Sequence, residues 1–339
     1  MSKARELANL GNAYSDGALS NRNMVINGAM VVDQRNNGAA VTNNGFSVDR
    51  FNLTCSGDGV VIAQQSSTAP TGFNYSLVMT NTTADASVSA AEYYDLMYKA
   101  EGYDVAHLNW GTSDPSTVTL SFWVRSSSTG TFSAQIRNAS ASRSFVFDYT
   151  VNAVDTWQRI TKTISGDTTG TWNKTNGTGI NILFPVATGS NYTTSTTDAW
   201  QAGNYNASTN ANTSWIGTVN NTFYITGVQL EVGDTATPFE HRSYSDQLSA
   251  CMRYYWKPVS QVYCRANGYS GNGRYYGQSL TPPTIMRANP SVTLSNISYA
   301  DANSAVAELT NADMLSFRII AAGDASNFAG FNIVVDAEL

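Results

Sequence analysis

Val118-Thr119-Leu120-Ser121-Phe122-Trp123-Val124 puts Val118, Leu120, Phe122 and Val124 at every second position, so the four apolar side chains share one face of an extended chain. That is the pattern of a half-buried strand. The same alternation returns in Thr156-Trp157-Gln158-Arg159-Ile160-Thr161-Lys162-Thr163-Ile164 and in Phe223-Tyr224-Ile225-Thr226-Gly227-Val228-Gln229-Leu230. Gly, Asn, Ser and Thr separate such runs about every ten residues, and long helical stripes are absent over most of the chain. The expected fold is mainly β, a jelly-roll β-sandwich followed by a smaller C-terminal β-sandwich domain.

Some stretches depart from the alternation. Lys3 to Leu10 reads as about two helical turns stopped by Gly11. A helix that short does not hold alone, so residues 1–22 are expected to be an attachment or oligomerisation segment. Ser245 to Tyr255 reads as a helix, with Ser245 as N-cap and Leu248, Cys251, Met252 and Tyr255 at helical spacing. It would link a jelly roll at 23–244 to a C-terminal β-domain at 245–339. Strands resume at Pro290 to Leu294 and Phe328 to Val335, while Pro282 and Pro283 bar a central strand between Leu280 and Ile285. The polar stretch from Ser165 to Trp215 is expected as extended loops around two short strands, one of them Ile180 to Val186.

Charged residues are only 13% of the chain, about half the usual share, so the surface must be largely neutral and polar. The net charge is −6, and no cluster of Lys or Arg offers the positive face that phosphates require. A nucleic-acid partner is therefore not expected. No run approaches the roughly 20 apolar residues that cross a bilayer, and the start Met1-Ser2-Lys3-Ala4-Arg5-Glu6 has no apolar signal core, so no membrane insertion and synthesis in a cytoplasm are expected. Cys55, Cys251 and Cys264, with His107 and His241, contain no CxxC pair and too few ligands for a structural zinc site. Buried free thiols are expected, with a Cys251–Cys264 disulfide left open; no metal and no cofactor are expected.

Several phrases carry a resemblance. Ser20-Asn21-Arg22-Asn23-Met24-Val25-Ile26-Asn27-Gly28-Ala29-Met30 resembles the entry to the body of phage tail-fibre and appendage proteins. Leu120 to Ser126, Asp155 to Arg159, and Gly227-Val228-Gln229-Leu230-Glu231-Val232-Gly233 are similar to a carbohydrate-binding-module jelly roll. Ala236-Thr237-Pro238-Phe239-Glu240-His241-Arg242-Ser243-Tyr244 with Cys251-Met252-Arg253-Tyr254-Tyr255 resembles the hinge that follows it in phage tail proteins. Ile285 to Pro290 and Asp336 to Leu339 resemble their carboxy-terminal domain. The resemblance implies a tail fibre or spike subunit of the virion, usually a homo-oligomer such as a trimer. Its implied partners are other tail proteins, through the N-terminal segment, and a host cell-surface glycan or lipopolysaccharide. A structural tail or capsid decoration protein without a ligand is the alternative.

Sugar rings present apolar faces rimmed by hydroxyls, so their sites combine exposed aromatic plates with short amide and hydroxyl side chains. Trp172, Tyr192, Trp200, Tyr205 and Trp215 lie among Asn173, Thr175, Asn176, Asn191, Asp198, Asn204 and Asn206, which is that chemistry. The same aromatics would equally serve to pin long loops onto the sandwich. Tyr269, Arg274 and Tyr275, in a glycine-rich run from Tyr263 to Tyr276, are a further candidate glycan contact; an ordinary hairpin explains them as well.

No catalytic residues are assigned and an enzyme is not expected. Polysaccharide hydrolysis needs two carboxylates across one cleft. Glu92, Asp95, Glu101 and Asp104 in one region, and Glu231, Asp234 and Glu240 in another, read as solvated edges and turns. His107 near Ser113 and Asp114 lacks a nucleophile elbow, and His241 is expected to hold the hinge by hydrogen bonds.

Overall fold

The structure, a computed structural model, describes Lys3 and residues 21–211, 214–266, 275–300, 302–321 and 327–339. The expected N-terminal helix, most of the 1–22 segment, and the candidates Tyr269 and Arg274 lie outside the described residues. Contacts divide the chain into Met1–Ser243 and Tyr244–Leu339.

The first unit is a jelly-roll sandwich of two main sheets. One runs β1 (Val41–Thr42), β4 (Val60–Ser66), β5 (Ser76–Thr83), β15 (Thr222–Val232), β7 (Val118–Ser126), β10 (Gln158–Ile164). The other runs β13 (Trp200–Ala202), β9 (Arg143–Val151), β8 (Gly130–Arg137), β11 (Thr178–Thr188), β6 (Tyr93–Glu101), β3 (Phe51–Ser56), β2 (Asn44–Val48). Two-residue strands β12 (Thr193–Thr194) and β14 (Ala207–Ser208) pair in parallel outside them. Alternation decides what faces inward: Leu120 and Phe122 of β7 and Phe145 and Phe147 of β9 are all buried. Phe122 bridges the layers, its ring centroid 4.9 Å from Phe184 and 5.4 Å from Tyr149.

The long polar stretch holds more order than its composition suggests. Its centre is β11, an 11-residue strand in the middle of the seven-stranded sheet, buried along nearly its whole length. Pro185 is tolerated there because it sits at a register shift against β6, between Pro185 and Ala187.

Residues 21–32 strap across the sandwich and are clasped by residues 228–242. Asn23 donates from Nδ2 to Val228 O at 3.0 Å and accepts at Oδ1 from the N–H groups of Val25 and Leu230. The Val228 N–H donates to Gly28 O at 2.9 Å, and the Ile26 N–H to the Tyr98 hydroxyl at 2.9 Å. Glu240 accepts from the N–H of Asn23 at 2.8 Å and from that of Asn21, while Arg242 Nη2 donates to Asn23 O at 2.9 Å. Burial opposes ionisation of Glu240, but the Asn23 and Asn21 N–H groups and Arg242 outweigh it and hold its carboxyl below the usual range. His241 contributes ring contacts, to Phe73 at 5.2 Å and Phe239 at 4.9 Å, rather than the expected hydrogen-bonding role.

The second unit opens with a helix over Tyr244–Met252, which begins one residue before Ser245, so Ser245 lies inside the helix rather than at its N-cap. Tyr255, expected at the helix end, instead starts β16 (Tyr255–Trp256). Strand β22 (Asn327–Asp336) pairs with β19 (Ser291–Ala300) on one edge and with β16 and β17 (Val262–Ala266) on the other. A second sheet runs β18 (Tyr275–Leu280), β21 (Leu315–Ala321), β20 (Ala302–Thr310). Phe317 of β21 meets Phe331 of β22 at 5.3 Å, and Trp256, Leu315, Ile319, Ile333 and Val335 are buried with them. All three cysteines are buried and free; burial pushes the Cys55 and Cys264 thiols up, away from the reactive thiolate.

Candidate functional site

Of the aromatics singled out in the polar stretch, three are consumed by packing. Trp215 is 0% exposed, and its indole N–H donates to Thr222 O at 3.2 Å, so no face remains for a ligand. Trp172 is 9% exposed and meets Trp110 edge to face at 4.8 Å. Trp200 meets Trp110 and Trp172, each at 5.3 Å, and donates to Ser165 O at 2.7 Å. The void beside this cluster is about 10 Å³, room for no more than about one water. These tryptophans pin the loops, and their indole N–H groups are met by backbone carbonyls. Tyr275 begins β18, opposite Ile320, away from the stretch in sequence and in sheet.

Tyr192 and Tyr205 have a different setting. The outward positions of β6, β11, β8 and β9 include Tyr93, Asp95, Asn181, Gln135, Arg137, Ser133, Ser144 and Asp148. Segment 189–211 folds over them. Ser208 reaches Ser133 Oγ with its N–H at 3.0 Å and Asp148 with its hydroxyl at 2.8 Å. Asn206 Nδ2 donates to Asp95 Oδ2 at 2.6 Å, and Arg137 Nη1 donates to the side-chain oxygens of Asn206, at 3.1 Å, and Asn204. The N–H of Tyr205 donates to Ser144 Oγ at 3.3 Å, and the Tyr205 ring lies against Gly203, whose φ is +125°. Asn206 N–H donates to Tyr192 O at 2.8 Å, and the Tyr192 ring stands edge to face on Tyr93 at 5.7 Å.

The result is a polar cluster at the sheet surface: Arg137 fixed by Asn204 and Asn206, with Tyr93, Tyr192 and Tyr205 half-buried around it and Asn204 exposed. Beneath it several buried polar atoms meet no protein partner, namely Asp95 Oδ1, Arg137 Nε, Asn181 Oδ1 and both amide atoms of Gln135. Asn181 lies opposite Arg137 and Leu183 opposite Gln135, so the Arg137, Asn181 and Gln135 positions are neighbours in the sheet. Each unmet group costs free energy, and their concentration in one place asks for water or ligand hydroxyls.

Asp95 was expected to be a solvated edge residue; it is 1% exposed, on an inner strand. Burial pushes its carboxyl up to about 7, against the opposing pull of the Arg137 charge and the Asn206 amide. Burial likewise lowers Arg137, although Asp95 and Tyr93 favour its charge. A carboxyl raised in the folded state binds its proton there over a pH range in which the unfolded chain has lost it. Its contribution is therefore complete below pH 3.8 and is lost as pH rises through about 7. Thermal stability should fall by about 2 kcal/mol between roughly pH 5.5 and pH 8 on this account. Differential scanning calorimetry of Asp95→Asn should show that part of the slope removed. Glu240 has the opposite sign, stabilising above pH 4.5 and lost as pH falls, so the two windows separate.

Sequence reading missed Tyr93, Asp95 as a buried group, and Arg137 because each sits at an ordinary outward strand position. Only the later segment that crosses them turns those positions into a site. Asp95 and Asp148 lie on β6 and β9 with β11 and β8 between, so three strand spacings, about 14 Å, separate their backbones.

No family model and no curated protein matches the chain. Among solved structures it is similar to the enzymatically active domain of tailspike protein 4 of bacteriophage CBA120, at 10% identity and a TM-score of 0.32, over 62% of this chain and 22% of that one. It is also similar to a family 11 carbohydrate-binding module of a cellulosomal cellulase of Clostridium thermocellum, at 12% identity and a TM-score of 0.30, over 61% of this chain and 99% of that one. A putative sugar binding protein from Bacteroides thetaiotaomicron matches at 10% identity and a TM-score of 0.33, over 62% of this chain and 100% of that one. Likeness this distant carries nothing about what this chain binds.

Proposed function

We propose that this chain is a glycan-recognition subunit of a bacteriophage tail fibre or spike, which engages a host-surface sugar as a symmetric oligomer. The observation that carries the binding role is the cluster on the seven-stranded sheet, where half-buried tyrosines surround a guanidinium fixed by two amides over polar atoms that the protein leaves unmet. A sugar fits this chemistry: its apolar face stacks on Tyr93, Tyr192 or Tyr205, and its hydroxyls accept from Arg137 and the amide of Asn204. The wide spacing of Asp95 and Asp148 favours holding over hydrolysis, which needs carboxyls about 5–9 Å apart.

The tail assignment rests on the resemblance of the strap, hinge and carboxy-terminal phrases. Weak binding repeated around an oligomer axis becomes firm attachment through effective concentration. An array of bacterial surface oligosaccharides and polysaccharides, probed with the purified full chain, tests this reading. Saturable binding to a restricted set is expected; a chain that binds none of them is a structural decoration protein instead.

A further inference from the structure

The C-terminal unit carries its own aromatic plate. Tyr263 lies on the outer face of β17, 44% exposed, and stacks on Phe328 of β22 at 5.4 Å with only 19° between the ring planes. The plate lies flat because of Gly330, the residue opposite Tyr263 in the ladder. A Cβ at Gly330 would sit 2.8 Å from Tyr263 Cε1, so only glycine lets the ring rest on the sheet there.

An open groove of about 380 Å³ is lined by Trp256, Gln261, Tyr263, Gln278 and Leu280, together with Pro258, Ser260 and Val262. Trp256 gives it a buried apolar floor, and no lining side chain carries a charge. The Tyr263 hydroxyl donates to Gln261 Oε1 at 3.2 Å, which orients that amide and leaves its nitrogen as a donor.

From these features we infer that the Tyr263 plate and its groove form a second carbohydrate site, for a neutral sugar of about one or two rings. The plate meets the apolar ring face, and the amides of Gln261 and Gln278 with the Ser260 hydroxyl meet the rim. An uncharged lining cannot compensate the desolvation of an anionic sugar, so sialylated or phosphorylated glycans are disfavoured. This site is built from different residues than the one on the first unit and stands or falls separately from it.

The test uses the full chain in a Tyr93→Ala, Tyr192→Ala, Tyr205→Ala background, in which the first site has lost its plates. Maltose, cellobiose and lactose are titrated by saturation-transfer NMR, with sialyllactose as the anionic probe. At least one neutral disaccharide should bind saturably. Tyr263→Ala should weaken that binding at least 10-fold, and Gly330→Ala, which tips the ring without removing it, at least 3-fold. Tyr263→Phe, which keeps the plate, should stay within about 3-fold, and unchanged circular dichroism separates these effects from unfolding. Binding indifferent to Tyr263→Ala and Gly330→Ala, no saturable binding by any neutral probe, or preference for sialyllactose would overturn the inference.

Discussion

Replacing Gly28 with alanine should lower stability by about 3 kcal/mol, read as a fall in Tm of roughly 10 °C. The new Cβ would lie 2.1 Å from Val228 O, a backbone atom that cannot swing aside. The strap must then move, and with it goes the bond from the Val228 N–H to Gly28 O. Because Met24, Val25, Met30 and Val32 are buried, displacement also returns apolar surface to water. Asn23→Ala is the companion variant. It removes three hydrogen bonds on the same strap without a clash and should cost about 2 kcal/mol. Thermal melts of both proteins decide the matter; a Gly28→Ala protein that melts with the parent would mean that the strap does not hold the sandwich.

Removing both rings of the Tyr93–Tyr192 pair should weaken glycan binding at least 30-fold while costing under about 2 kcal/mol of stability. The rings are half-buried and stand on each other at 86°, so one can be lost with partial repair by the other, whereas the double variant leaves Tyr205 as the remaining plate. Arg137→Lys tests the head of the same site. It keeps the charge opposite Asp95 but not the planar fork that reaches Asn204 and Asn206 together, so affinity should fall with little change in the Asp95 pH profile. Surface plasmon resonance on an array-selected glycan measures both. Full affinity in the double tyrosine variant would exclude the Tyr93–Tyr192 pair from the site.

The phrases that carried the resemblance turn out to be bonded to one another. The strap phrase beginning at Asn21 is held by Glu240 and Arg242 of the hinge phrase, and Arg287 of the Ile285 to Pro290 phrase donates to the carbonyls of Ala337 and Glu338 at the chain end. These side-chain to backbone bonds join segments that are distant in sequence. Strand alternation made the sandwich legible, since burial on one face demands a period of two.

The candidate site was legible only in its chemistry. Tyr192 and Tyr205 look no different in sequence from Trp172, Trp200 and Trp215, yet Trp172 and Trp215 are drawn into the core and Trp200 packs against it, while the phenols stay half in water. Asp95 and Arg137 were invisible because their meaning depends on a segment about 110 and 70 residues further along folding over them. Central strand β11 was undersized in the reading for a related reason: a strand buried on both faces, with Pro185 inside it, loses the alternation that announces a strand.

A crystal structure of the full chain with an array-selected oligosaccharide tests the central claim most directly. The account places a sugar ring against Tyr93, Tyr192 or Tyr205, with hydroxyls bonded to Arg137 and Asn204. A ring bound instead on the outer face of the six-stranded sheet, where Trp157 and Tyr224 meet at 6.1 Å, would contradict it.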